Sequence, residues 1–96
     1  MGGVIIQKAG VFNIYGTIAD GPYFESGITE EQLRFFILEE EGAQGLSRLP
    51  ARLHNACQKG TSSMIDRTLE DTICCNSENL GVDEFVKKYL TIATKE

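Results

Sequence analysis

The sequence predicts an α+β domain in the order ββαααα: an N-terminal two-stranded β-hairpin followed by about four α-helices. Three observations carry this. β-Branched and aromatic residues crowd positions 4–18 and are interrupted at Ala9-Gly10. From Ile28 onward, apolar residues recur at three- and four-residue spacing, with capping residues between the runs. The chain has 96 residues, 42% of them hydrophobic and 24% charged, which is enough for one domain (1–96) and too apolar for a disordered tail.

The strands come first. Val4-Ile5-Ile6-Gln7-Lys8 opens the hairpin and Ala9-Gly10 forms its tight turn. Val11 to Ile18 then places Phe12, Ile14, Gly16 and Ile18 on one face and Val11, Asn13, Tyr15 and Thr17 on the other. Neither face is strongly polar. Asp20-Gly21-Pro22 closes the pair as a turn, because Asp bonds local backbone, Gly relaxes φ and Pro fixes it.

The first helix begins at a capping box, Thr29-Glu30-Glu31-Gln32, with Ile28 and Leu33 as its hydrophobic staple, and closes at Gly42. Leu33, Phe36 and Ile37 form one apolar stripe, and Phe35 and Leu38 form a second. A helix apolar on two sides is either the central core element or meets another subunit. The second helix starts between Ser47 and Pro50, since proline is tolerated in a first turn, and ends before Gly60. It aligns Leu46, Leu49, Leu53 and Cys57 on one face and Arg48, Arg52, Asn55 and Lys59 on the other. Thr61, Ser62 or Ser63 caps a third helix reaching about Cys75, and Asn76 to Asn79 is a loop. The last helix, about Val82 to Ala93, repeats Val82, Phe85, Val86, Tyr89 and Leu90 at helical spacing.

A lone two-stranded hairpin is marginal in water, and its open edges invite association. Pairing of two hairpins would make a four-stranded sheet across a homodimer, with Phe12, Ile14, Phe35 and Leu38 at the interface. The competing arrangement is a monomer whose helices wrap both sides of the hairpin.

Charge is the most informative functional feature. Residues 20–41 hold seven acids (Asp20, Glu25, Glu30, Glu31, Glu39, Glu40, Glu41) against Arg34, whereas 42–68 hold four bases against Asp66. Either the acidic and basic helices pair with each other, or the acids form a docking surface for a basic partner. The net charge of −5 disfavours broad contact with nucleic-acid phosphates. The leading expectation is a small, acidic, non-catalytic interaction module, an adaptor or a mobile-element or phage-type inhibitor of a nucleic-acid-handling host defence complex. Glu30, Glu31, Glu39, Glu40, Glu41, Asp20 and Tyr23 would meet a protein partner with a basic surface. The loop around Tyr23 and Phe24 is a further candidate, with Phe24 as either an anchor or a core plug.

Two alternatives stand beside it. His54 and Cys57, one helical turn apart, with Cys74 and Cys75, have the residue types of a metal site or a thiol nucleophile. Adjacent cysteines diverge on a helix, and Cys57 falls on the leucine face, so no metal, no cofactor and no catalysis are expected. Arg48, Arg52, Asn55 and Lys59 on the helix over 48–59 would suit a small DNA-binding regulator. The N-terminus lacks a signal-peptide pattern, three cysteines give no paired framework, and no apolar run approaches the ~18 residues of a membrane span. A cytoplasmic protein is the expectation.

Overall fold

Backbone geometry at Ala9-Gly10 sets the register of everything that follows. In the computed structural model, which describes residues 3–16, 21–62, 68–74 and 76–92, strand β1 (Gly3–Lys8) pairs antiparallel with β2 (Val11–Gly16), Lys8 opposite Val11. Two residues therefore make the turn, and both have positive φ, 53° at Ala9 and 80° at Gly10. This matches a type I′ hairpin, whose twist fits that of the strands. A short third strand, β3 (Gly21–Pro22), pairs with Tyr15 and Gly16, giving an antiparallel sheet in the order β1-β2-β3. The expected two-stranded hairpin is thus extended, and Pro22 suits an edge because it has no N–H to give.

The remaining edges are taken by the chain itself. Along β1, the Gln7 N–H donates to the Gly60 carbonyl (2.8 Å), the Ser62 N–H to the Ile5 carbonyl (2.8 Å), and the Ile5 N–H to Ser62 Oγ (2.8 Å). Along β2, Phe12 and Ile28 exchange two backbone bonds of 2.9 and 2.8 Å, and Tyr23 N–H reaches the Ile14 carbonyl at 2.7 Å. Edge-to-edge pairing of two hairpins through β1 or β2 would have to displace one of these segments, which leaves the two-residue, proline-bearing β3 as the outer strand of the sheet. The edge problem seen in the sequence is solved within one chain.

The helices number three among the described residues, not four. Helix α1 (Glu30–Lys59) is broken at Gly42, whose φ of 70° and ψ of −161° separate an arm over 30–41 from one over 43–59. In a straight helix positions 41 and 52 would lie about 16 Å apart. Instead the Arg52 guanidinium reaches the Glu41 carboxylate at 3.3 Å, so the chain bends sharply at Gly42. The second arm begins directly after this bend rather than at Ser47–Pro50, and Pro50 lies inside it. Pro50 is exposed, so the Leu46 carbonyl to which it gives no N–H belongs to the outer side of the bundle. Gly60, at φ 83°, ends the arm as expected.

Thr61 bridges to Ile6 and Ser62 bonds to Ile5, so both run beside β1, while 63–67, where the expected helix would begin, lie outside the described residues. Helix α2 (Leu69–Ile73) starts instead at Thr68, which forms a capping box with Asp71. The loop after it is built on Asn76, whose amide donates to the Ile73 and Leu80 carbonyls (2.8 and 3.0 Å) and accepts from Leu80 N–H (2.9 Å). Helix α3 (Val82–Tyr89) stops short of Ala93 because residues 90–92 turn to lie beside Gly27, whose N–H donates to the Thr91 carbonyl at 3.0 Å.

Two apolar cores result, one on each face of the sheet. Ile5, Phe12 and Ile14 face α1, where Leu33 and Ile37 of the first arm and Leu49, Leu53 and Ala56 of the second cover them. Ile6 and Tyr15 face α2 and α3, meeting Leu69, Ile73, Phe85, Tyr89 and Leu90. Strand alternation sorts these residues, as the period of two requires. Phe12 and Ile14, 3% and 0% exposed, are therefore core residues of the protomer and not interface residues.

One polar side chain is buried among them. Asn13, fully buried, donates its amide to the carbonyls of Tyr89 (2.8 Å), Phe24 (3.1 Å) and Ser26 (3.4 Å), and its oxygen accepts from the N–H groups of Ile14 (2.8 Å) and Phe24 (3.2 Å). It ties β2, the 23–26 loop and the end of α3 into one unit.

Two outcomes follow for stability. Ala9→Asn should raise the unfolding free energy by about 0.5–1 kcal/mol in urea titration, since Asn tolerates the left-handed region better than Ala. Asn13→Asp should lower it by about 3 kcal/mol or more at pH 7, because an anion would face three carbonyls. Part of that loss should return at pH 4, where the neutral acid can donate again. A buried aspartate has a raised pKa, so its stability contribution is lost as pH rises.

Candidate functional site

The arm over 30–41 of α1 presents the chain's most unusual surface. Its start is fixed by the capping box: Gln32 N–H donates to Thr29 Oγ1 (3.2 Å) and Thr29 N–H to Gln32 Oε1 (2.9 Å). That phase sends Leu33 and Ile37 into the core and leaves Phe36 half-buried. The same 3.6-residue period turns Phe35 and Leu38 outward, 62% and 45% exposed. The second apolar stripe read in the sequence therefore exists, and no described residue of the chain buries it.

Glu31 shares the outward face of this pair, with Glu39 beside it. Glu30, Glu31, Glu39 and Glu40 are exposed on the same arm. Arg34 binds Glu30 at 3.0 Å and is the only base between them, leaving three carboxylates uncompensated. Glu41 differs: it is half-buried, ion-paired to Arg52, and packed beneath Gly45, where an added Cβ would stand 2.3 Å from its own. It therefore fastens the bend, and its carboxylate is engaged by Arg52 rather than open like those of its neighbours. Pairing between the acidic and basic helices, one of the two readings of the charge pattern, occurs at this bridge and, among the described residues, nowhere else. Asp20 lies outside the described residues.

Tyr23 joins this surface to a second one. It is 43% exposed and meets Phe36 edge-on at 6.2 Å, while Phe24 meets the same ring at 5.0 Å and packs on the core. Behind them a cleft of about 400 Å³ opens, walled by Tyr23, Phe24, Glu25, Glu78 and Tyr89 above Gly21 and Pro22. Glu78 accepts from the Lys88 ammonium at 2.7 Å and from the Tyr89 hydroxyl, and Lys88 Nζ lies 5.1 Å from the centre of the Tyr89 ring. The hydrogen bond from Lys88 holds the Glu78 carboxyl below its ordinary range, with Tyr89 adding to it. Glu78 in turn raises the pKa of Lys88 and that of Tyr89. Sequence reasoning missed this group, because a loop residue and two helix residues about ten positions away share no local pattern.

Among the described residues the alternative sites are not assembled. His54, Cys57 and Cys74 are exposed, and Cys75 lies outside the described residues. Cys57 was expected on the leucine face; Ala56 holds that place, in phase with Leu49 and Leu53. Among the described residues no three His, Cys, Asp or Glu side chains converge as metal ligands. The basic row is divided as well, with Arg48 exposed and Arg52 half-buried against Glu41.

The architecture defines a small α+β protein with a three-stranded antiparallel sheet between helical layers. Compared with protein-family models, with curated proteins and with solved structures, the chain matches none. No helix among the described residues is long and apolar enough to cross a membrane.

The Glu78 cluster has a definite pH signature. A carboxyl held below its ordinary range stabilises the fold above that range and loses the effect as pH falls through the lowered value. Lys88 and Tyr89, both raised, act below their ordinary values and lose the effect as pH rises beyond them. The melting-temperature difference between wild type and Glu78→Gln should therefore be largest from about pH 5 to 9 and shrink below about pH 4 and above about pH 10. A thermal scan across that range checks it.

Proposed function

We propose that the protein is a non-catalytic interaction module, an adaptor or inhibitor, which docks the 30–41 arm of α1 on a basic surface of a protein partner. The observation that carries this reading is the exposed pair Phe35 and Leu38 on an arm that also exposes Glu30, Glu31, Glu39 and Glu40. Interfaces are organised in this way, with large apolar anchors at the centre and charge at the rim. The apolar pair supplies affinity, and the carboxylates supply specificity and a faster, salt-sensitive encounter.

A second copy of the chain is the competing occupant. Two such arms meeting face to face would bring their uncompensated carboxylates together, so charge favours a basic partner over self-association. In the sharpest form of the proposal that basic surface is the nucleic-acid channel of a host defence complex, where the acidic arm would take the place of phosphates. Exposed carboxylates in adjacent pairs, Glu30 with Glu31 and Glu39 with Glu40, support the inhibitor form.

The test compares immobilised wild type with Phe35→Ser/Leu38→Ser, with Glu39→Lys/Glu40→Lys, and with Glu70→Lys on α2 as control, all shown folded by their unfolding transitions. A basic protein held by wild type and control, released by moderate salt and captured at least about tenfold less by both arm variants, is expected. Unchanged capture by the arm variants overturns the proposal. So does a homodimer in sedimentation that Phe35→Ser/Leu38→Ser abolishes, since the face would then belong to a second copy.

A further inference from the structure

The cleft behind Tyr23 is chemically unlike the α1 face. Tyr23, Phe24 and Tyr89 line it together with Glu25 and Glu78, and Tyr23 is the most exposed of the three aromatics. The Tyr23 ring lies close over the sheet, since a Cβ on Gly16 would stand 2.9 Å from it. One cation already rests beside this cleft. Lys88 places its ammonium 2.7 Å from Glu78 and 5.1 Å from the centre of the Tyr89 ring, the arrangement by which aromatic and anionic groups hold a cation together. Glu25 is exposed and has no ion pair among the described residues, so the group keeps one carboxylate in excess. Each Glu78 oxygen, although bonded, retains a lone pair.

We infer that this cleft is a recognition site for a cationic side chain, and specifically for the guanidinium of a protein-borne arginine. A guanidinium is planar and weakly hydrated; it stacks on aromatic rings while its N–H groups fork onto carboxylates. The exposed Tyr23 ring, with Glu25 and Glu78 in the same lining, offers both contacts at once. The charge excess calls for one positive group, and Lys88 shows that the site accepts one. A cleft of about 400 Å³ also has room for a side chain beside Lys88. Tyr23 touches Phe36 at its edge, so an arginine held here would lie next to the α1 arm. The site nevertheless stands on its own residues, and either surface can fail without the other.

The experiment needs no natural partner. The probe is the blocked tripeptide Gly-Arg-Gly, with its citrulline and lysine counterparts, titrated into the 15N-labelled full chain. Saturable shifts confined to 21–25, 77–78 and 88–89, with a dissociation constant on the order of 1 mM, are expected for the arginine peptide. The citrulline peptide should produce none, and the lysine peptide should bind at least about threefold more weakly. Glu25→Gln should weaken arginine binding about threefold or more. Lys88→Met should strengthen it by a similar factor, because it removes the competing cation; a purely structural role for Lys88 predicts no gain. Equal shifts with citrulline, no saturable shift, equal affinity for lysine, or weaker binding by a folded Lys88→Met protein would each overturn the inference.

Discussion

A β-hairpin with large apolar side chains on both faces has to be covered twice, and in this chain that requirement governs the architecture. Ile5, Phe12 and Ile14 on one side and Ile6 and Tyr15 on the other are all buried. Leaving either set in water would forgo roughly 1.5–3 kcal/mol per side chain. The helices are apportioned accordingly, with the two arms of α1 on one face and α2 with α3 on the other. The bend at Gly42 belongs to the same requirement. A straight helix of this length would overrun a six-residue strand, whereas two short arms lie over it side by side.

Covering both faces buries backbone as well, and the structure meets that demand with a few polar groups. Asn13 satisfies three carbonyls and two N–H groups at a place where a loop, a strand and a helix end converge. Ser62 and Gly60 complete β1, and Ile28 and Tyr23 complete β2. The hairpin is thereby freed from the edge pairing that its isolation in sequence suggested.

The same packing decides which of the expected interface residues face outward. With Phe12 and Ile14 inside and Glu41 fastened to Arg52, the outward candidates contract to Phe35, Leu38 and four carboxylates on one arm. The aromatic and acidic cleft beside them arises from a different source, the 21–25 loop meeting the 77–78 turn and Tyr89. Tyr23 links the two through Phe36. Both surfaces carry excess negative charge beside apolar groups, a combination suited to basic proteins rather than to nucleic acid.

Local physics alone determined much of this. The type I′ turn at Ala9-Gly10, the strand phase of Phe12 and Ile14 against Tyr15, the Thr29 capping box, the glycine stops at 42 and 60 and the α3 stripe through Phe85 and Tyr89 depend on neighbours within about four residues, and sequence displays those directly. The tertiary structure decided the rest. Thr61 and Ser62 have the chemistry of helix caps, yet β1 needed partners for Ile5 and Gln7, and a sheet edge outweighed a local preference. Pro50 looked like a helix start because sequence cannot show that its carbonyl partner would belong to an exposed side. Ala56 and Cys57, adjacent in sequence, were assigned to in and out respectively by the rotation of a helix against the sheet, which only packing fixes. Asn13 reads as one polar residue among many, and Glu78, Lys88 and Tyr89 as unrelated ones. Their roles come from groups up to 76 positions away, and no local pattern encodes such distances.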